Sequence, residues 1–345
     1  MLTVAVVGAG LMGRGIAEVF AGAGHPVRLH DLDAGTLHRA VGSLQNLEGA
    51  VDGSTDLAEA VAGAGLVVEA VAENLTAKQE LFARLDRLSP DALLASNTSV
   101  LPVSSIAERT TRPERVVGTH WWNPPGLIPV VEVVRGKHTG EETMERVIAL
   151  LASLGKMPVR VERDVPGFVG NRLQHALWRE AMALVADGVC TAETVETVVR
   201  NTIGLRLAAM GPLENADYVG LDLTLAIHDA VLPDLNRSPG PSPCCVSWWR
   251  RATWAPRAAG ASSPGRRAAA NGPAHAWPGT SPGSSRPAPA TPDGPPAHTA
   301  ETKGEEPCPT PPSPGRSAPP SRAWSSTTSP TRGGTELRAG RTSRT

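Results

Sequence analysis

Six residues near the N-terminus, Gly8-Ala9-Gly10-Leu11-Met12-Gly13, constrain the fold more than anything else in the chain. They follow a short apolar run, Val4-Ala5-Val6-Val7, suited to a strand buried on both faces. They lead into residues 14–23, whose apolar positions recur at helical spacing. Alone, G-x-G-x-x-G is weak evidence. Between a strand and a helix it is a dinucleotide fingerprint. Gly8 permits the tight turn, Gly10 lets the backbone approach a pyrophosphate, and Gly13 lets helix and strand pack closely. Free N–H groups at the helix N-terminus, around Leu11 and Met12, then face the phosphates.

Residues 26–30 read as a second strand that ends at Asp31, about 20 residues beyond the glycines. An acid there can accept both ribose hydroxyls and would repel a 2′-phosphate, so the expected cofactor is NAD rather than NADP. The neighbouring Asp33 reads as a plain turn or cap residue. Further buried strands are expected at residues 66–70 and Leu93–Ser96, the second ending in Asn97-Thr98-Ser99. A helix through Lys78 to Leu88 lies between them. Polar residues at the C-terminal ends of parallel strands line the crevice of a doubly wound sheet. Glu73, Lys78 and Asn97 are therefore candidate contacts near the nicotinamide ribose. Taken alone, Glu73 and Lys78 also read as a solvated helix start and an exposed charge.

Val116-Val117-Gly118-Thr119 is a further expected strand, followed by His120-Trp121-Trp122-Asn123-Pro124-Pro125. Val130-Val131-Glu132-Val133-Val134 places one carboxylate inside an apolar run. A buried, unpaired carboxylate is costly, so Glu132 needs a partner, and His120 is the obvious one. A histidine held by a carboxylate is suited to general-base work, the acid fixing its tautomer and orientation.

With these motifs in order, the chain resembles the L-3-hydroxyacyl-CoA dehydrogenase family. The resemblance rests on the glycine fingerprint, Val67-Val68-Glu69-Ala70-Val71-Ala72-Glu73, Ser96-Asn97-Thr98-Ser99, His120 with Asn123-Pro124, and Val131-Glu132-Val133. Pro166-Gly167-Phe168-Val169-Gly170-Asn171-Arg172, Gly211-Pro212-Leu213-Glu214, Asp217 and Gly220-Leu221-Asp222 continue it. It covers essentially residues 1–243. It implies that His120 is the catalytic base, Glu132 its orienting partner, and Ser99 and Asn171 hydrogen-bonding partners of substrate oxygens. It also implies reversible oxidation of the 3-hydroxyl of a 3-hydroxyacyl-CoA, His120 taking the hydroxyl proton while C3 gives hydride to NAD. A helical domain closing over the substrate and forming a homodimer interface is implied as well.

Three departures bear on the substrate. The region 33–66 is shorter than in CoA-dependent members, which commonly carry a projecting helical hairpin there. Pro125-Gly126-Leu127-Ile128-Pro129 is closer to relatives that oxidise free hydroxy acids such as gulonate or carnitine. Trp121-Trp122 replaces a usual pair of smaller aromatics and is expected to narrow the acyl site. A short-chain acyl-CoA is the favoured substrate, a free 3-hydroxy acid the alternative.

The expected class is α/β: a Rossmann-type doubly wound NAD-binding domain over 1–165, then an all-α C-terminal domain over 166–243, beginning near Gly167 with an amphipathic segment at 172–186. Residues 244–345 are expected to form a disordered low-complexity tail. There Ile, Met, Phe and Tyr are absent, and Val246 and Leu337 are nearly the only aliphatic side chains larger than Ala. Such a segment cannot bury enough apolar surface to offset its ordering entropy. Yet it holds Trp248, Trp249, Trp254, Trp277 and Trp324, unusual for a disordered tail. Read one base earlier, Cys245 becomes Leu whichever Cys codon precedes it, and Trp249 becomes Val. Arg250, if encoded CGN, becomes Ala, and Ala255 becomes Gly. With G or C at the free positions the stretch can read Leu-Leu-Arg-Glu-Leu-Val-Ala-Ala-Gly-Asp-Leu-Gly-Ala, an apolar helical pattern followed by a turn. The tail thus reads as frame-shifted, leaving the helical domain incomplete. An NAD-binding pseudoenzyme is the reading of a different class.

A net formal charge of −1 suggests neither a nucleic-acid nor an acidic-membrane partner. No apolar run reaches the roughly 20 residues of a membrane helix. No signal-like segment precedes Val4, and Cys190, Cys244, Cys245 and Cys308 show no zinc-like spacing. A cytoplasmic protein with no metal is the expectation.

Overall fold

The structure is a computed structural model in which residues 1–242 are described. The tail and the expected frame change at Pro243 lie outside them. The chain opens β1 (Val4–Val7), α1 (Leu11–Gly22), β2 (Val27–His30), α2 (Ala34–Gly42) and β3 (Val51–Ser54). It continues α3 (Leu57–Val61), β4 (Leu66–Glu69), α4 (Leu75–Leu88), β5 (Leu93–Ser96), α5 (Val103–Ile106) and β6 (Val116–Trp121). Next come β7 (Val130–Val134), α6 (Glu141–Ser153) and β8 (Met157–Val161). Five helices follow: α7 (Gly170–Ala186), α8 (Ala192–Asn201), α9 (Ile203–Leu207), α10 (Pro212–Val219) and α11 (Leu221–Val231). This is a Rossmann-like sheet followed by a helical C-terminal domain.

The eight strands form one sheet in the order β3-β2-β1-β4-β5-β6-β7-β8, parallel except at β6–β7. The order reverses between β1 and β4, and the ligand crevice of such a sheet opens outside the strand ends at that point. Alternate side chains of β1 feed two cores: Val4 and Val6 join Ile16, Phe20 and Val68, whereas Ala5 and Val7 join Val67, Phe82 and Leu85. Burying one such large side chain contributes roughly 1.5–3 kcal/mol. These apolar strands are buried on both faces because helices cover both sides of the sheet.

Some boundaries differ from the sequence reading. Helix α1 starts at Leu11, inside the glycine motif, rather than at Arg14. Strand β6 runs on through His120 and Trp121, which were expected to follow the strand. Strands β3 and β8 were not anticipated. Helix α7 begins at Gly170, two residues before the expected segment, after Gly167 and Phe168 at φ 77° and 50°.

The helical part is open. Among the described residues no side chain of α8, α9, α10 or α11 is buried. Leu205, Leu213, Leu221 and Leu225 are all more than 60% exposed. Among the described residues no helix is long and apolar enough to cross a membrane.

Candidate active site

The glycine loop joins β1 to α1 at the switch point. Gly8 has φ 106°, and a Cβ there would lie 2.6 Å from the Ala70 carbonyl oxygen. A Cβ on Gly13 would lie 1.7 Å from the Gly8 carbonyl oxygen, so only glycine allows this approach of helix and loop. Gly10 faces open space, and as the N-cap of α1 it supplies no capping side chain. The first-turn N–H groups around Leu11 and Met12 are thus left for a ligand.

Asp31 follows β2 on the same rim. Its Oδ2 accepts from the Ala9 N–H at 2.9 Å and its Oδ1 from the Asp33 N–H at 3.0 Å. Its remaining lone pairs can accept ribose hydroxyls. Asp33 is the cap the sequence suggested, accepting from the Thr36 N–H at 2.7 Å at the start of α2. A cavity of about 530 Å³ is lined by Gly8, Gly10, Asp31, Leu32, Ala70 and Leu81, among others. Open space at Gly10, an uncapped helix start and a fixed carboxylate fit a dinucleotide.

At the ends of β4 and β5 the polar residues form a network. Lys78 Nζ is 2.5 Å from Glu69 Oε1 and 3.3 Å from Glu73 Oε2, with its side chain 1% exposed. Lys78 is therefore not an exposed charge. Glu73 Oε1 accepts from Thr98 Oγ1 (2.5 Å), Ser99 N (2.9 Å) and Val100 N (3.0 Å). Burial alone would raise its carboxyl. The Thr98 hydroxyl, the Lys78 charge and the two backbone N–H groups together outweigh that and hold it below the ordinary glutamate range. Asn97 Oδ1 accepts from the Trp121 N–H at 3.0 Å, tying the end of β5 to β6.

His120 and Glu132 face each other directly in the antiparallel β6–β7 register. Nδ1 of His120 lies 2.7 Å from Glu132 Oε2, and both residues are buried. The other carboxylate oxygen accepts from the Val169 N–H at 2.9 Å and the Gly170 N–H at 3.1 Å. Burial pushes the Glu132 carboxyl up, but hydrogen bonds from His120, Gly170 and Val169 together hold it below the ordinary range. An ionised Glu132 accepts a hydrogen bond from Nδ1–H of His120, the tautomer that leaves Nε2 with a free lone pair. The ring packs against Trp122 and Phe168, with centroids 4.9 Å and 5.8 Å away. Asn171, at the start of α7, donates from Nδ2 to the Ser99 carbonyl oxygen at 2.9 Å.

The structure thus brings His120 to Glu132, and Ser99 to Glu73 and Asn171. One expectation is corrected: Trp121 does not line an acyl site. Alternation along β6 turns it to the opposite face from His120, where it is buried near Phe20 at a centroid distance of 6.0 Å. Of the two tryptophans, Trp122 is the one beside His120. A Cβ on Gly170 would lie 2.3 Å from its Cζ2, so glycine makes room for that indole. Sequence reasoning passed over Glu69 and Ser96 as participants. Glu69 carries the signal that exposed Glu132, a single carboxylate in an apolar strand.

Two family models match in tandem: the NAD binding domain of 3-hydroxyacyl-CoA dehydrogenase over residues 3–165, and its C-terminal domain over 167–256. A probable 3-hydroxybutyryl-CoA dehydrogenase of Bacillus subtilis is 40% identical over 252 residues, 68% of this chain and 86% of that protein. The 5-formyl-3-hydroxy-2-methylpyridine 4-carboxylate 5-dehydrogenase of Mesorhizobium japonicum is 36% identical over 249 residues, covering 68% and 81%. The crystal structure of a 3-hydroxyacyl-CoA dehydrogenase from Archaeoglobus fulgidus aligns with a TM-score of 0.62 at 34% identity, covering 73% of this chain and 88% of that one. The chain belongs to the 3-hydroxyacyl-CoA dehydrogenase family and is an NAD-dependent oxidoreductase.

Proposed function

We propose that the protein oxidises the 3-hydroxyl of a short-chain L-3-hydroxyacyl-CoA to the 3-ketoacyl-CoA, reversibly, with His120 as general base. The observation that carries this reading is the buried His120–Glu132 pair, 2.7 Å apart, with Glu132 further fixed by two backbone N–H groups. Bound NAD supplies the hydride acceptor. Nε2 of His120 takes the hydroxyl proton as C3 loses hydride, and Glu132 stabilises the resulting imidazolium without taking the proton itself. In the reverse direction the imidazolium returns the proton to the 3-keto oxygen.

Ser99 and Asn171 hydrogen-bond the substrate oxygens, and their mutual contact holds them together for it. Gly8, Gly10, Leu11, Met12 and Gly13 hold the pyrophosphate and Asp31 the adenosine ribose. Glu73, Lys78 and Asn97 shape the nicotinamide end, Lys78 chiefly by holding Glu73 in place. The Trp122 indole beside His120 supports a short acyl chain. The exposed leucines of the helical domain support pairing with a second copy, and the division at 165/166 separates cofactor binding from substrate closure and pairing.

A free hydroxy acid is the second reading. It is favoured by the short 33–66 connection and by the Mesorhizobium japonicum relative, whose name describes a pyridine carboxylate substrate rather than a CoA thioester. A panel of 3-hydroxybutyryl-CoA, longer 3-hydroxyacyl-CoA thioesters, gulonate and carnitine separates the two. The first reading expects the highest kcat/KM with 3-hydroxybutyryl-CoA. Clear preference for a free acid would overturn it.

A further inference from the structure

Glu69 takes no part in the proton or hydride transfer, yet it is fully buried at the end of β4. A buried carboxylate is tolerated only when its oxygens are satisfied, and here both are. Oε1 accepts from Lys78 Nζ at 2.5 Å and from the Val71 N–H at 2.7 Å, and Oε2 accepts from Ser96 Oγ at 2.6 Å.

Two arms lead from this carboxylate to one loop. Through Lys78, 3.3 Å from Glu73 Oε2, it fixes the carboxylate that accepts from Thr98, Ser99 and Val100. Through Ser96, whose Oγ accepts from the Thr98 N–H at 3.2 Å, it reaches the same loop from below. Both arms end around Ser99, whose carbonyl oxygen receives Asn171. A buried ionic group is weak evidence for stability as such, since apolar side chains often fill the same space equally well. What this one supplies is a defined position for the loop.

We propose that Glu69 is a positioning residue that sets the Thr98–Val100 loop, and through it Ser99 and Asn171, for the substrate oxygen. The proposal rests on the reading of Ser99 as a substrate contact. It is tested in the full chain with Glu69→Gln and, because that variant strands Lys78 and can fail to fold, with Ser96→Ala, which removes one arm without stranding a charge. Amide hydrogen exchange should rise at residues 99–101 and stay unchanged in β1 for either variant. The kcat/KM should fall by roughly 10- to 100-fold, the scale on which a small misplacement acts. In a Ser99→Ala background, Glu69→Gln should then cost clearly less than it does in the wild type, since residues acting through one another are not additive. Exchange that rises uniformly across the sheet, or losses that multiply in the double variant, would overturn the proposal. If no acyl-CoA is turned over or Ser99→Ala has no effect, the functional reading fails, and the exchange pattern alone decides whether Glu69 holds the loop.

Discussion

In the proposed reading, Asp31 decides cofactor choice through a single charge. Its carboxylate is held on the crevice rim by Ala9 and Asp33, where it suits ribose hydroxyls and opposes a 2′-phosphate. Titration of the two cofactors should show NAD favoured over NADP by at least tenfold, about 1.4 kcal/mol. Equal affinities would remove the ribose assignment. At this scale much of the site was legible. Asp31 stood at the right distance from the glycines, and Glu132 betrayed itself as a carboxylate no apolar strand tolerates without a partner. Lys78 was harder to read, because nothing in its helix shows that Glu69, nine residues earlier on a buried strand, draws its ammonium inside. The contact between Asn171 and Ser99 spans 72 positions and leaves no local trace, so only the family resemblance suggested their roles.

Strand β7 and helix α7 are joined by Glu132, which accepts from the N–H groups of Val169, just ahead of the helix, and Gly170, its first residue, while holding His120. Its carboxyl is held below the ordinary glutamate value of about 4.3. The stability it contributes is therefore fully present above that value and lost as pH falls through the lower folded value. The melting-temperature gap between wild type and Glu132→Gln should shrink as pH falls from about 5 to below about 4. A gap that widened over that range would contradict the assigned link. The interior elements were read well because Val4–Val7, Leu93–Ser96 and Val130–Val134 are apolar runs buried by helices on both faces. The edge strands escaped for the converse reason. Val51-Asp52-Gly53-Ser54 has one large apolar residue, and Met157–Val161 carries Pro158 and Arg160, typical of edge positions. Strand β6 was cut short because His120 looked like loop chemistry, whereas pairing with β7 carries it into the sheet.

At the scale of the molecule, among the described residues, the cofactor-binding part has two full cores, while the helical part leaves many large apolar side chains exposed. Exposed apolar faces of that extent agree with the proposed pairing with a second copy. The chain as written should associate weakly or aggregate. Replacing everything after Pro243 by the one-base-earlier reading should give a stable dimer by light scattering and faster turnover. If the unaltered chain already matches the repaired one in both respects, the frame-shift account is wrong. The central claim, that this oxidoreductase works through His120, is tested in whichever of the two chains turns over faster. NADH absorbance with 3-hydroxybutyryl-CoA compares wild type with His120→Ala, and NAD titration accompanies it. The expected result is a loss of roughly 10²–10⁴-fold in rate with NAD affinity nearly unchanged. A His120→Ala variant that retains wild-type turnover would contradict the account.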